Sequence, residues 1–182
     1  MPAKPLIALV VLAFAVGGCG ESKADLAAAK KFDRFPLYWA GDRFEKWDLE
    51  AIDGLDGYGE AVTFIYGDCE PKGGDEPSCV PPIEIQVFAL CPHLEAVAAA
   101  PIWKTRTVRG APVGTIDSAP VLFTGGAQVK VYRGEGTDLG LPMRVLKQLR
   151  SLNSMPPVIG ATGSIPAPPS GVLTGTRACS PA

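Results

Sequence analysis

Ile83-Glu-Ile-Gln-Val-Phe-Ala-Leu90 alternates along its length. Ile83, Ile85 and Val87 fall on one side of an extended chain, and Glu84, Gln86 and Phe88 fall on the other. A period of two is the mark of a strand with one apolar face. Pro81-Pro82 leads into it. Upstream, Val62-Thr-Phe-Ile-Tyr66 is β-branched and aromatic and ends at Gly67-Asp68, which predicts a second strand. Downstream, Ala119–Thr124 (APVLFT) and Gln128–Tyr132 (QVKVY) flank Gly125-Gly126-Ala127, a hairpin signal.

The weaker segments extend this pattern. Leu37–Trp39 reads as extended after Pro36, and Leu49–Ile52 as a short strand. Thr105–Ile116 reads as extended segments broken at Gly110-Ala111-Pro112. Pro92–Ala100 (PHLEAVAAA) has Pro in its first turn and predicts a short helix ended by Pro101. Asp138–Leu152 predicts a longer one, with Leu141, Val145, Leu146, Leu149 and Leu152 on one stripe and Arg144, Lys147, Gln148 and Arg150 opposite. Thr137 or Asp138 is expected to cap it, Pro142 to sit in its first turn and Asn153 to end it. The expected fold is α+β: a mainly antiparallel sheet of about five strands with two helices and a Pro-rich C-terminal tail. Within that tail, Gly171–Arg177 is expected to add an edge strand if Cys179 is tied down.

Composition narrows the function classes. The 182 residues carry 17 basic and 19 acidic side chains, so a broadly basic, nucleic-acid-binding surface is excluded. An apolar content of 47% excludes a wholly disordered chain. The 21 Gly and 18 Pro favour strands and turns over a helical bundle. Five Cys is an odd number that needs an explanation.

The N-terminus supplies it. Lys4 precedes eleven uninterrupted apolar residues, Leu6 to Val16, and then Gly17, Gly18 and Cys19. This is the pattern of a secretory signal peptide. Eleven helical residues reach only about 16 Å, against about 30 Å of hydrocarbon, so it is too short for a spanning helix. Val16-Gly17-Gly18-Cys19 resembles the lipobox of bacterial lipoproteins. The resemblance implies cleavage before Cys19, a lipid on its sulfur, and the membrane as a partner through that lipid. Gly20, rather than Asp, implies access to the outer membrane where two membranes exist. The mature chain would be Cys19–Ala182, 164 residues with a formal charge of −3. The expected organisation is signal peptide 1–18, lipid-anchored tether 19–35 with a helical turn or two in Ala24–Phe32, α+β domain 36–153 and tail 154–182. FPLYWAGDRFEKW followed by VTFIYGDC, RGAP and a late LR-containing helix also resembles uncharacterised envelope lipoproteins of high-GC bacteria. That resemblance implies an extracytoplasmic location and no particular mechanism.

Four Cys remain, and disulfides are their expected state outside the cytoplasm. Four Cys allow three pairings. Cys69 and Cys79 flank nine polar, Gly/Pro-containing residues between two strand-like segments, so Cys69–Cys79 is favoured and leaves Cys91 with Cys179. No C-x-x-C pair offers a zinc or redox motif.

Catalytic signals are thin. His93 is the only histidine, and no G-x-S-x-G elbow accompanies it. The acidic stretch Asp42, Glu45, Asp48, Glu50, Asp53, Asp56 and Glu60 lacks the spacing of a calcium loop. Gly134, Gly136 and Gly140 depart by one residue from a dinucleotide loop and read as a turn. Tyr38, Trp39, Trp47 and Trp103 are the candidate lining of a ligand groove. The expectation is a noncatalytic, lipid-anchored cell-envelope protein with a binding, interaction or structural role. It has no cofactor, no metal and no nucleic-acid partner, and a protein or small molecule of unassigned identity as its ligand. The alternative is an extracytoplasmic enzyme, either a hydrolase using the acidic stretch or a thiol enzyme using Cys69 or Cys91.

Overall fold

The computed structural model describes residues 24–57, 60–68, 80–94, 106–156, 159–160 and 163–180. An eight-stranded antiparallel sheet dominates them. Its strands are β2 (Arg43–Phe44), β3 (Trp47–Asp53), β4 (Ala61–Tyr66), β5 (Ile83–Ala89), β6 (Thr107–Val108), β7 (Ala111–Ile116), β8 (Ala119–Phe123) and β9 (Ala127–Arg133). The spatial order is β2-β3-β4-β5-β9-β8-β7-β6. Two meanders, β2 to β5 and β6 to β9, therefore meet through the β5–β9 pair, which runs from Ile83↔Arg133 to Ala89↔Ala127. A separate ribbon pairs β1 (Tyr38–Trp39) with β10 (Arg150–Ser151).

The α+β expectation holds, but the sheet has more strands than the five expected. The additions are short or join through turns without a Gly-Gly or Asn-Gly signature. β7 and β8 are linked by Asp117 (φ 50°) and Ser118 (φ 65°), a left-handed pair that suits the sheet's twist. β2 and β3 are two and seven residues long and turn through Glu45 at φ 52°.

Alternation places the core. Val62, Phe64 and Tyr66 of β4, Ile83, Ile85 and Val87 of β5, Val129 and Val131 of β9 and Leu122 of β8 are all buried in one cluster. α2 (Leu141–Gln148) lies against β8 and β9 and adds Leu141, Val145 and Leu146, with Leu149 just beyond its end. The helix is shorter at both ends than its stripe suggested. Gly140 occupies the cap position, and Asp138 instead accepts a hydrogen bond from the Gly140 N–H at 2.9 Å. At the other end, Arg109 donates to the Leu149 carbonyl at 2.6 Å, neutralising helix-terminal acceptors.

The N-terminal segment is part of the domain. α1 (Leu26–Lys31) is capped by Asp25, whose carboxylate accepts from the Ala28 N–H at 2.9 Å. Ala29, Phe32 and Phe35 enter the same core, with the two Phe rings edge-to-face at 4.8 Å. The boundary expected at residue 36 therefore moves upstream, because these side chains are needed to cover the sheet. Asn153 fixes them. Rather than ending α2, it is buried, donates to the Phe32 and Phe35 carbonyls at 2.8 and 2.9 Å, and accepts from the Leu37 N–H at 2.8 Å.

The sheet's other face carries a smaller cluster, in which Leu90, Val121 and Phe123 meet Val172 and Leu173 of the tail. Gly171–Arg177 forms turns rather than an edge strand: its hydrogen bonds close on themselves, as from the Arg177 N–H to the Gly171 carbonyl at 3.1 Å. Cys91 and Cys179 are disulfide-bonded. Cys19, Cys69, Cys79 and Trp103 lie outside the described residues, as does the helix expected over Pro92–Ala100 beyond a single 3₁₀ turn at Cys91–His93.

Candidate functional site

The four aromatic residues separate. Tyr38 is fully buried, and burial raises its phenol's pKa, against the lowering effect of a hydrogen bond to the Thr124 side chain. It belongs to the core and offers no face to a ligand. Trp39 is half-buried against that core on β1. Trp47 lines a hollow. Its indole rests where a side chain on Gly67 would collide with it: a Cβ there would lie 2.5 Å from the indole and 2.9 Å from Pro82. Gly67 also holds φ +78°, so both sterics and backbone conformation favour Gly beside this ring.

The hollow beside Trp47 holds about 320 Å³ and is bounded by Asp68, Val80, Pro82 and the Gly134–Thr137 turn. Glu135 is also a wall of a second hollow of about 390 Å³, between the β7–β8 turn, Tyr132 and Arg133 of β9, and Leu139, Pro142 and Met143. Ser118, Pro120, Leu139 and Met143 are shared in turn with a third, of about 210 Å³, reaching Arg106 and Thr115. The three share these wall residues and lie side by side around the segment that links β9 to α2, as an interrupted trough.

That segment is fixed by its own contacts. Gly134 packs so closely that a Cβ would lie 2.6 Å from the Pro81 carbonyl oxygen. Thr137 donates its hydroxyl to the Gly134 carbonyl at 2.6 Å, and Arg133 donates to the Thr137 carbonyl at 3.2 Å. Arg144 pairs with Asp138 and, at 2.8 Å, with Glu45 of the β2–β3 turn. These contacts hold Leu139 out in solvent at 79% exposure. Val80, at 50%, is the other large exposed aliphatic residue among those described, and it borders the same trough.

Charge stands beside the lining as well, on a residue that contacts Asp117 and Tyr132. Lys130 pairs with Asp117 at 3.0 Å, and its ammonium lies 5.5 Å from the Tyr132 ring centroid. Partial burial acts to lower its pKa, yet the hydrogen bonds to Tyr132 and Asp117 carry it above its ordinary value. Lys130 is therefore a positive charge at neutral pH, and a fixed one. Asp68, Asp117 and Glu135 stand against Arg106 and Arg133 along the lining, a near balance with one negative charge in excess.

Among the described residues, no three His, Cys, Asp or Glu side chains converge as a metal site. The acidic stretch instead flanks β2, runs along β3 and continues into the connection to β4, with Asp48 3.5 Å from Arg43 and Glu45 held by Arg144. No helix among the described residues is long and apolar enough to cross a membrane. Sequence reasoning selected Trp47 but missed Val80 and Leu139, because exposure of a lone aliphatic residue leaves no mark in a linear pattern. Comparison of the chain with protein-family models, curated proteins and solved structures finds no match.

Proposed function

We propose that this chain is a noncatalytic, lipid-anchored protein of the bacterial cell envelope that binds a protein partner along the trough. The anchoring half is supported by the charged start, the apolar run and Val16-Gly17-Gly18-Cys19. The binding half is carried by one observation: Val80 and Leu139, the two large exposed aliphatic residues among those described, border the same trough. A segment of a partner protein with aliphatic side chains suits a row of adjoining hollows whose lining is close to neutral.

The anchor is tested by Cys19→Ala. The variant should leave the membrane fraction, and one that still sediments with membranes refutes the reading. The trough is tested by a photo-crosslinking residue at position 139 in living cells, with a second at exposed Ser154 as control. A discrete adduct from position 139, lost on Trp47→Ala, is expected. The same adducts from both positions, or none from 139, would refute it.

A further inference from the structure

The tail divides at Pro166. Before it, Ile165 is buried in the main core, its N–H donates to the Arg109 carbonyl at 2.8 Å, and the Pro166 carbonyl accepts from the Gly125 N–H at 2.8 Å. After it the character changes. Among the described residues, the backbone hydrogen bonds of 167–180 close within the segment itself: Val172 to Pro169, Gly175 to Val172, Arg177 to Gly171. Its hold on the domain is the burial of Val172 and Leu173 and the bond from Cys179 to Cys91. Two apolar side chains are a small gain against the entropy of ordering such a segment, so the covalent link decides whether it stays.

The link is open to attack. Cys91 lines a hollow of about 240 Å³ together with Arg34, Phe35, Gly125, Gly126 and Ser180. Arg34 lines the same hollow and donates to the Gly57 carbonyl at 2.8 Å, and a guanidinium beside the hollow favours an incoming thiolate. We propose that residues 167–180 form a strap whose place on the sheet depends on the Cys91–Cys179 bond, the burial of Val172 and Leu173 being too small to hold it, and that a dithiol reductant releases it and uncovers Leu90, Val121 and Phe123. In the exchange, one thiolate of the reductant attacks a sulfur of the pair and forms a mixed disulfide, expelling the other Cys as thiolate. The reductant's second thiolate then closes its own disulfide and frees the second Cys. Two electrons pass from reductant to protein, and each freed sulfur takes up a proton according to pH.

The test is amide hydrogen exchange on the full-length protein in detergent: oxidised, treated with dithiothreitol, and as Cys179→Ser. The variant leaves Cys69 and Cys79 untouched. Release should speed exchange in 167–180 by on the order of tenfold or more in both the reduced protein and the variant, with β4, β5 and β9 unchanged. A strap whose amides do not change in Cys179→Ser overturns the proposal, because packing alone would then hold it. A change that spreads into β4, β5 and β9 overturns it as well, because the tail would then be part of the fold and not a strap. So does a Cys91–Cys179 bond that dithiothreitol leaves intact in the folded protein.

Discussion

Replacing Asn153 by Ala should be among the most damaging single changes away from the apolar core. The side chain is 5% exposed and makes three hydrogen bonds, all to backbone of the 32–37 segment more than a hundred residues away in sequence. Truncation leaves the Leu37 N–H without its acceptor, at about 1–3 kcal/mol, and removes donors from two carbonyls at about 0.5–1.5 kcal/mol each. The sum is about 2–6 kcal/mol, a large share of the roughly 5–15 kcal/mol that holds a domain together. Urea unfolding followed by Trp fluorescence measures it, as a lowered midpoint at unchanged slope. Asn153→Asp is a second, sharper variant. Its carboxylate still accepts from the Leu37 N–H but faces two carbonyl oxygens with negative charge, so at neutral pH it should be at least as unstable as Ala. A loss below about 1 kcal/mol in Asn153→Ala, or near-native stability in Asn153→Asp, would refute the three-bond clamp.

Two further perturbations follow from buried contacts. The Tyr66 hydroxyl accepts from the Ala40 N–H at 2.9 Å and donates to the Gly41 carbonyl at 3.1 Å, so Tyr66→Phe should cost about 1–3 kcal/mol in the same unfolding assay. Burial first, opposed by the Ala40 hydrogen bond, raises the pKa of Tyr66 above the ordinary phenol range. A raised native pKa means that this stabilisation is whole below the unfolded value of about 10 and is lost as pH climbs above it toward the native value. Stability should therefore fall above that pH and fall less steeply in Tyr66→Phe; equal slopes would contradict the assignment. Gly54 holds φ +81° with its missing Cβ 2.1 Å from the Ala61 carbonyl oxygen, so Gly54→Ala should lower stability by at least about 2 kcal/mol, and a neutral result would contradict the close approach.

Legibility in the sequence followed the range of the cause. β4, β5, β8 and β9 were readable because their alternation is written in neighbouring residues, and the Gly125-Gly126 turn because its conformation needs residues that announce it. β2 and β6, at two residues each, carry no periodicity to read. The β7–β8 turn escaped notice because Asp117 and Ser118 adopt left-handed backbone without Gly. The segment before residue 36 read as a polar tether, since the Lys and Asp around Ala29, Phe32 and Phe35 conceal which side chains face inward. At the trough, Trp47 was visible by residue type, whereas Val80 and Leu139 gain meaning only from what surrounds them.

The sequence by itself determined the sheet's central strands and the amphipathic stripe of α2, and it favoured the Cys91–Cys179 pairing among three, each from residue type, local spacing or cysteine counting. It also carries the whole case for Cys19 and the anchor. Only the tertiary structure decided that Asn153 joins two distant segments, that Tyr38 is core, that α1 packs under the sheet and that the tail covers β8. These depend on contacts between residues far apart in the chain. A single buried amide or a half-covered apolar strand has its environment set by the partners brought to it, and those partners leave no trace in the residues beside it.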